Sequence, residues 1–190
     1  MLTADAERML MDWIGPAAAI DDGTELRLLL SLVFRTNGSS EAFRAYVLEA
    51  VRHRVLHSSR ALYGQAGRRP GVIDAADVEV IRKLVYGLGG QSGMAISAAE
   101  AGFLFELEHA TAGAPNVPAW RELFVKAITM HLLFAGNSPD RIDEAEARWL
   151  IEQIRGDKAH LDNERALLVY LKQEAELHPL LLPLCERLGV

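Results

Sequence analysis

The sequence predicts an all-α protein, a single compact bundle of about 8–9 helices. Apolar residues recur at helical spacing in nearly every segment, and the alternating patterns of strands and hairpins are close to absent. Most of these segments begin at a capping residue or stop at glycine or proline. Hydrophobic residues make up 50% of the 190 residues, which is enough to bury a sizeable core.

Four helices are predicted in the first half of the chain. The first stops before Pro16, and the second carries Glu25 three residues after its cap, a variant of the capping box. The four start near residue 3, after Asp22, after Ser40 and at Asp74.

The stretch GQAGRRPG at residues 64–71 is the clearest loop and the best candidate for a boundary. It divides an N-terminal helical segment, residues 1–66, which we expect to pack on the rest, from a second helical region, residues 71–190.

Besides the helix that starts at Asp74, the second region is predicted to contain five more helices. They start at Ser97, after Asn116 as a cap with Pro118 in the first turn, at Asp143, near Asp162 and after His178. On the sixth helix, Trp120, Phe124 and Phe134 are expected in the core, and His131 is expected to be a hydrogen-bonded core histidine. Trp149 is expected to pack between two helix pairs.

Four helix starts share one pattern, in which an apolar residue precedes a capping residue and an acid follows. They read Ile73-Asp74-x-x-Asp77, Ile96-Ser97-x-x-Glu100, Ile142-Asp143-x-x-Glu146 and Leu161-Asp162 with Glu164. The capping side chain accepts from the free amides of the first turn, and the acid bonds back to the cap. Because the starts come in pairs around a central helix, we interpret them as a diverged duplication.

The same pattern is similar to the last third of an EF-hand loop, where the apolar residue forms a β-bridge and the acid binds calcium. Upstream of Ile96 the loop GGQSGMA has no carboxylate, and upstream of Ile73 two arginines would repel a cation. Calcium binding of the EF-hand kind is therefore disfavoured, and the helix starts are predicted to be caps.

Residues 71–177 resemble the TerB-like helical domains associated with tellurite resistance, through these helix starts. The Asp-Gly dipeptide of those domains is missing from them. The resemblance implies a role in metal binding or as a stress-signalling partner. If a metal binds, the candidate ligands are Asp74, Asp77, Glu100, Asp143 and Glu146. IDAADVEVIRKLVYGLGG and NVPAWRELFVKAITMHLL also resemble an uncharacterised group of alphaproteobacterial helical proteins, which implies no activity.

Arginines concentrate on the third helix and the following loop. Residues 50–73 contain no acid, so this segment could meet an anionic partner, an acidic face of its own fold or solvent. The candidate partner-binding residues are Arg52, Arg54 and Arg60. His53 and His57 share one helix face, but they lack the glutamate of a zincin motif and are interpreted as partly exposed residues.

The sequence gives less support to phosphate binding or to catalysis. GLGGQSG at residues 87–93 is not followed by Gly-Lys-Ser/Thr and is interpreted as a helix end and connector. Cys185 lies in an apolar segment without basic neighbours, so a nucleophilic role is not expected. No catalytic residue and no cofactor is predicted, and an enzyme built on carboxylates ranks last.

The net charge and the number of cysteines limit which functions are plausible. The net charge of −6 and pI near 5.5 disfavour a nucleic-acid binder, and one cysteine fits a reducing compartment. No transmembrane segment is expected. The sequence therefore predicts a non-catalytic protein of the bacterial cytoplasm, a regulatory or stress-linked adaptor that binds another protein or a second copy of itself. The alternative is a divalent-metal module of TerB type.

Overall fold

The computed structural model describes residues 3–20, 23–35, 38–60, 67–87, 96–135, 140–154 and 162–190. Within these ranges the chain forms nine α-helices, two single turns of 3₁₀ helix and one isolated β-bridge. The all-α prediction is therefore confirmed. The helices are α1 (Ala4–Ile14), α2 (Gly23–Arg35), α3 (Glu41–His57), α4 (Ala75–Gly87), α5 (Ala98–Ala110), α6 (Pro118–Ala135), α7 (Glu144–Gln153), α8 (Asp162–Glu174) and α9 (Leu182–Leu188).

The helices α3, α5 and α7 start at the caps predicted for them, Ser40, Ser97 and Asp143. Thr3 caps α1 by accepting from Ala6 N, and Ser40 caps α3 by accepting from Phe43 N. Asp22 lies outside the described residues, so its capping box is not tested. At α6 the N-cap position is Val117, one residue later than the predicted cap.

The chain divides into two compact units. The first comprises Met1–Gly93 and Ala114–Trp120, and the second comprises Met94–Gly113 and Arg121–Val190. This division differs from the boundary expected in the loop 64–71, because α4 packs with α2 and α3 in the first unit.

The first unit is built from α1 to α4. α3 contacts α1, α2, α4 and the 3₁₀ turn Ala17–Ala19, so it is the central helix of this unit. The Trp120 side chain, predicted as core, is fully buried. The remaining interior is contributed mainly by leucine, valine, isoleucine and phenylalanine side chains, including Leu26, Leu29, Phe43, Val47, Val51, Ile73, Ile81 and Leu84.

The second unit is built from α5, α7, α8, α9 and α6 from Arg121 onward. Aromatic rings join three of these helices: Phe105 of α5 meets Phe124 of α6 edge-on at 5.1 Å, and Trp149 of α7 lies 5.8 Å from Phe105. Trp149 also lies 4.8 Å from His131 of α6. This cluster fixes α7 against α5 and α6.

One predicted core residue is exposed. Phe134 is 58% exposed, whereas Phe124 on the same helix is fully buried. Phe134 lies in the last turn of α6, and ten residues after Phe124 it is rotated by roughly 80° around the helix axis. The prediction of Phe134 as a core residue was therefore wrong. None of the described helices combines the length and apolar character needed to cross a bilayer.

Candidate functional site

Two of the repeated helix starts in the second unit are reciprocal capping boxes. At α5, Glu100 N donates to Ser97 Oγ at 3.3 Å and Ser97 N donates to Glu100 Oε2 at 2.8 Å. At α7, Glu146 N donates to Asp143 Oδ1 at 2.9 Å and Asp143 N donates to Glu146 Oε2 at 2.8 Å. Each pair satisfies two amides that the helix itself leaves without an acceptor.

The start of α4 has the same reciprocal bonds, with an added cation. Asp77 N donates to Asp74 Oδ1 at 2.9 Å, and Asp74 N donates to Asp77 Oδ2 at 3.2 Å. The Arg68 guanidinium donates to the same Asp77 oxygen at 2.7 Å. Burial raises the pKa of the Asp77 carboxyl above its ordinary value, and the Arg68 charge opposes that rise.

Arg68 also closes the loop that leads into α4. Its Nη1 donates to the carbonyls of Arg54, Val55 and Ser58, and its Nη2 donates to that of Val72. Arginine suits this position because its donors are fixed in a plane and keep their charge when buried. The acid-free arginine segment therefore meets an acid of its own fold, one of the alternatives that the sequence left open.

The three partner-binding candidates occupy different environments. Arg54 is 2% exposed and donates to the Arg60 carbonyl, so its side chain does not lie on the surface. Arg52 pairs with Glu49 one turn earlier at 2.7 Å, and Arg60 is exposed. Because Arg54 is buried, its side chain cannot contact a partner at the surface. Its guanidinium instead bonds to the backbone that follows α3.

The apolar residue before each cap is fixed through its backbone. Ile73 N donates to Asn116 Oδ1 at 2.8 Å, and Val117 N donates to the Ile73 carbonyl at 3.1 Å. The Ile96 carbonyl bonds to His131 Nδ1 at 2.7 Å, and Ile142 N donates to the Glu176 carbonyl at 2.9 Å. Asn116, predicted as the cap of α6, thus accepts from the start of α4.

The metal candidates do not converge among the described residues. No group of three or more His, Cys, Asp or Glu side chains there has the geometry to hold an ion. The five candidate carboxylates all take part in capping boxes, and Asp77 already neutralises Arg68. His53 and His57 bring their rings to 4.8 Å, as expected for this spacing. The fourth start falls partly outside the described residues at Leu161.

A groove with a volume of about 480 Å³ lies between α6 and α8 in the second unit. Most of its lining surface is apolar. Val125 of α6 is nearly buried, whereas Val169 of α8 is 41% exposed. The other apolar parts are contributed by Ala166 and Tyr170, and Gln173 closes one end of the lining. We call this feature the α6–α8 groove.

Charged residues surround the apolar part of the α6–α8 groove. Arg121 and Lys126 extend from α6, and Arg165 extends from α8. The acids Glu122 and Asp162 also line the groove, so cations outnumber acids in the lining by one. All five side chains are exposed. An apolar centre with a charged rim is the usual anatomy of a binding surface.

Hydrogen bonds between side chains join the helices that form the α6–α8 groove. Arg121 Nε donates to Asn163 Oδ1 at 2.6 Å, and Asn163 Nδ2 donates to Glu108 Oε2 at 3.0 Å. One residue further along α8, Glu164 Oε1 bonds to His109 Nε2 of α5 at 2.8 Å. Glu108 and Glu164 are both buried. The groove is therefore a fixed surface, because three helices are joined at its end.

One feature of the sequence indicates this groove, although the helical periodicity alone does not. Residues 166–171, ALLVYL, are six consecutive apolar residues on one helix, so they cover more than one face. Leu167, Leu168 and Leu171 enter the core, and Val169 with Tyr170 forms the second apolar face. The Glu164–His109 bond joins residues 55 apart in the chain, and no local pattern indicates it.

No family model, curated protein or solved structure matches this chain.

Proposed function

We propose that this protein is a non-catalytic adaptor of the bacterial cytoplasm, and that it binds an amphipathic helix of another protein in the α6–α8 groove. The observation that carries this proposal is the groove itself, a largely apolar surface between two helices with Val169 exposed on one wall. Helical ligands bind such grooves through apolar residues spaced three or four apart.

The lining of α8 has the spacing that a helical ligand requires. Asp162, Arg165, Ala166, Val169 and Tyr170 follow one another at i, i+3, i+4, i+7 and i+8, which is one continuous face of the helix. A ligand helix lying along this face would bury Val169 and place its charged flanks near the rim. The excess of cations at the rim favours ligands with acidic flanks.

The regulatory part of the proposal has two supports. A preformed surface without a reactive group suits an adaptor, and the one cysteine, Cys185, is buried, with its thiol pKa raised by that burial. A stress-linked role rests on the resemblance of residues 71–177 to TerB-like domains and is proposed on that ground alone.

A peptide library displayed on phage tests the proposal. Peptides selected on the purified chain should carry apolar residues at i, i+3 or i+4, and i+7, with acids beside them. Their affinity should fall at least about 10-fold in Val169→Glu, because a buried charge would face the ligand's apolar residues.

Ile151→Glu is the matched control, because Ile151 of α7 has nearly the same exposure as Val169 and lies outside the groove. It should leave peptide affinity unchanged. Selection of no helical peptide, or equal loss of affinity in both variants, would contradict the proposed function.

A further inference from the structure

We propose that the occupant of the α6–α8 groove is α1 of a second copy of this chain, so that the protein associates with itself. This inference rests on the proposed function, since it names the partner for the same groove. It starts from two apolar side chains on α1, Met9 and Trp13, which are 70% and 75% exposed.

Met9 and Trp13 lie four residues apart and therefore share one face of α1. Asp5 and Asp12 belong to the same face, and both are exposed. Exposed Arg8 pairs with Asp5 at 2.8 Å, so Asp5, Arg8 and Asp12 together carry one net negative charge beside the apolar side chains. This charge is complementary to the excess of one cation at the rim of the groove. Tryptophan is also the residue type most enriched among those that dominate binding energy.

The opposite face of α1 is already occupied. Glu7 is 1% exposed, and its carboxylate accepts from Ser40 N at 3.1 Å. At the end of the helix, Tyr46 Oη donates to the Gly15 carbonyl at 2.7 Å. α1 is therefore held on α3 at two points, and the face with Met9 and Trp13 is presented in a fixed orientation. A preordered ligand helix loses little conformational entropy on binding.

The lengths of the two elements agree. α1 has 11 residues, or about 16 Å of helix. The lining of α8 runs from Asp162 to Gln173, which is about 18 Å at the same rise. One α1 can therefore cover the whole apolar part of the groove.

Sedimentation equilibrium on two complementary variants tests this inference. Met9→Ala/Trp13→Ala removes the ligand face and keeps the groove, whereas Val169→Glu does the reverse. The wild type should self-associate at concentrations below about 100 µM, the range of small interfaces. Each variant alone should be monomeric, with self-association weakened at least about 10-fold. A mixture of the two should form a complex of one copy of each, because one intact α1 and one intact groove remain.

Controls separate these effects from misfolding. Phe34→Ala on α2 and Ile151→Glu on α7 replace side chains that are each 38% exposed outside α1 and the groove. Both should associate like the wild type, and all variants should keep the helical circular dichroism of the wild type.

Each remaining result has one meaning. A wild type that stays monomeric at about 500 µM, or a mixture that forms no complex, overturns the inference. If the monomeric wild type still binds the selected phage peptides, the groove function stands and its partner is a different protein. If the phage peptides also fail to bind, both proposals fall.

Discussion

Arg68 and Asp77 form an ion pair inside the first unit, with their charged groups 2.7 Å apart and their side chains 3% and 5% exposed. The aspartate belongs to the capping box of α4, and the arginine bonds to the backbone at the end of α3. One pair of residues thus joins the end of α3 to the start of α4.

Arg68→Ala should therefore lower the free energy of unfolding by about 3–5 kcal/mol, because it leaves the Asp77 carboxylate buried without its partner. Urea denaturation followed by circular dichroism measures this change. Arg69→Ala is the control, since Arg69 is the exposed neighbour and should change the stability by less than about 0.5 kcal/mol. Equal effects of the two substitutions would show that the ion pair has no special role.

The capping boxes should contribute separately to stability. Ser97→Ala removes the acceptor for Glu100 N and should cost about 1 kcal/mol. Asp143→Ala should cost a similar amount at α7, for the same reason. Ser59 is exposed and caps no helix, so Ser59→Ala should change the stability by less than about 0.5 kcal/mol. Thermal or urea unfolding compares the three variants, and unchanged stability in Ser97→Ala would count against a capping role.

Divalent ions should leave the protein unchanged at the predicted metal candidates. Glu100 and Glu146 direct carboxylate oxygens to the cap amides, and Asp77 already neutralises a guanidinium. Millimolar calcium, zinc or EDTA should therefore not alter the melting temperature. A rise with calcium that Glu100→Gln abolishes would mean that the acid binds an ion in addition to closing the helix.

His131 should make stability fall in mild acid. Burial lowers the pKa of His131 below its ordinary value of 6.5, while its bond to the Ile96 carbonyl opposes this shift. Because the unfolded chain then binds a proton that the folded chain resists, the free energy of unfolding decreases as pH falls below 6.5. Above that value the contribution is fully present.

Urea denaturation of wild type and His131→Gln between pH 5 and 8 measures this contribution as a difference between two curves. The wild type should lose more stability towards low pH than the variant, since the five other histidines are common to both. An NMR titration of the His131 ring should give a midpoint below 6.5. Parallel stability curves, or a midpoint above this value, would contradict the assignment.

The features of the fold that could be predicted from the sequence depend on residues close together in the chain. Caps act within four residues, so Ser97 with Glu100 and Asp143 with Glu146 could be predicted from spacing alone, and the structure has both. Phe134 was misplaced because it lies ten residues after Phe124 and is therefore rotated by roughly 80° from it around the axis of α6.

The candidate site depends on contacts that no local pattern contains. The groove needs α6 and α8 side by side, and its end is fixed by bonds of Asn163 to Glu108 and to Arg121, residues 55 and 42 positions away. The excess of apolar residues at 166–171 indicates a second exposed face, but not which helix lies beside it. In the same way, Asp77 was a candidate ligand until the fold placed Arg68 against it.

The most direct test of the account is an NMR titration of the isotope-labelled chain with the tightest phage-selected peptide. Binding in the α6–α8 groove should shift amide signals around Val125, Val169 and Tyr170 and leave those around Ile151 in place. Val169→Glu should abolish these shifts. Shifts centred on another surface, or the same shifts in Val169→Glu, would contradict the claim that this groove is where the protein binds its partner.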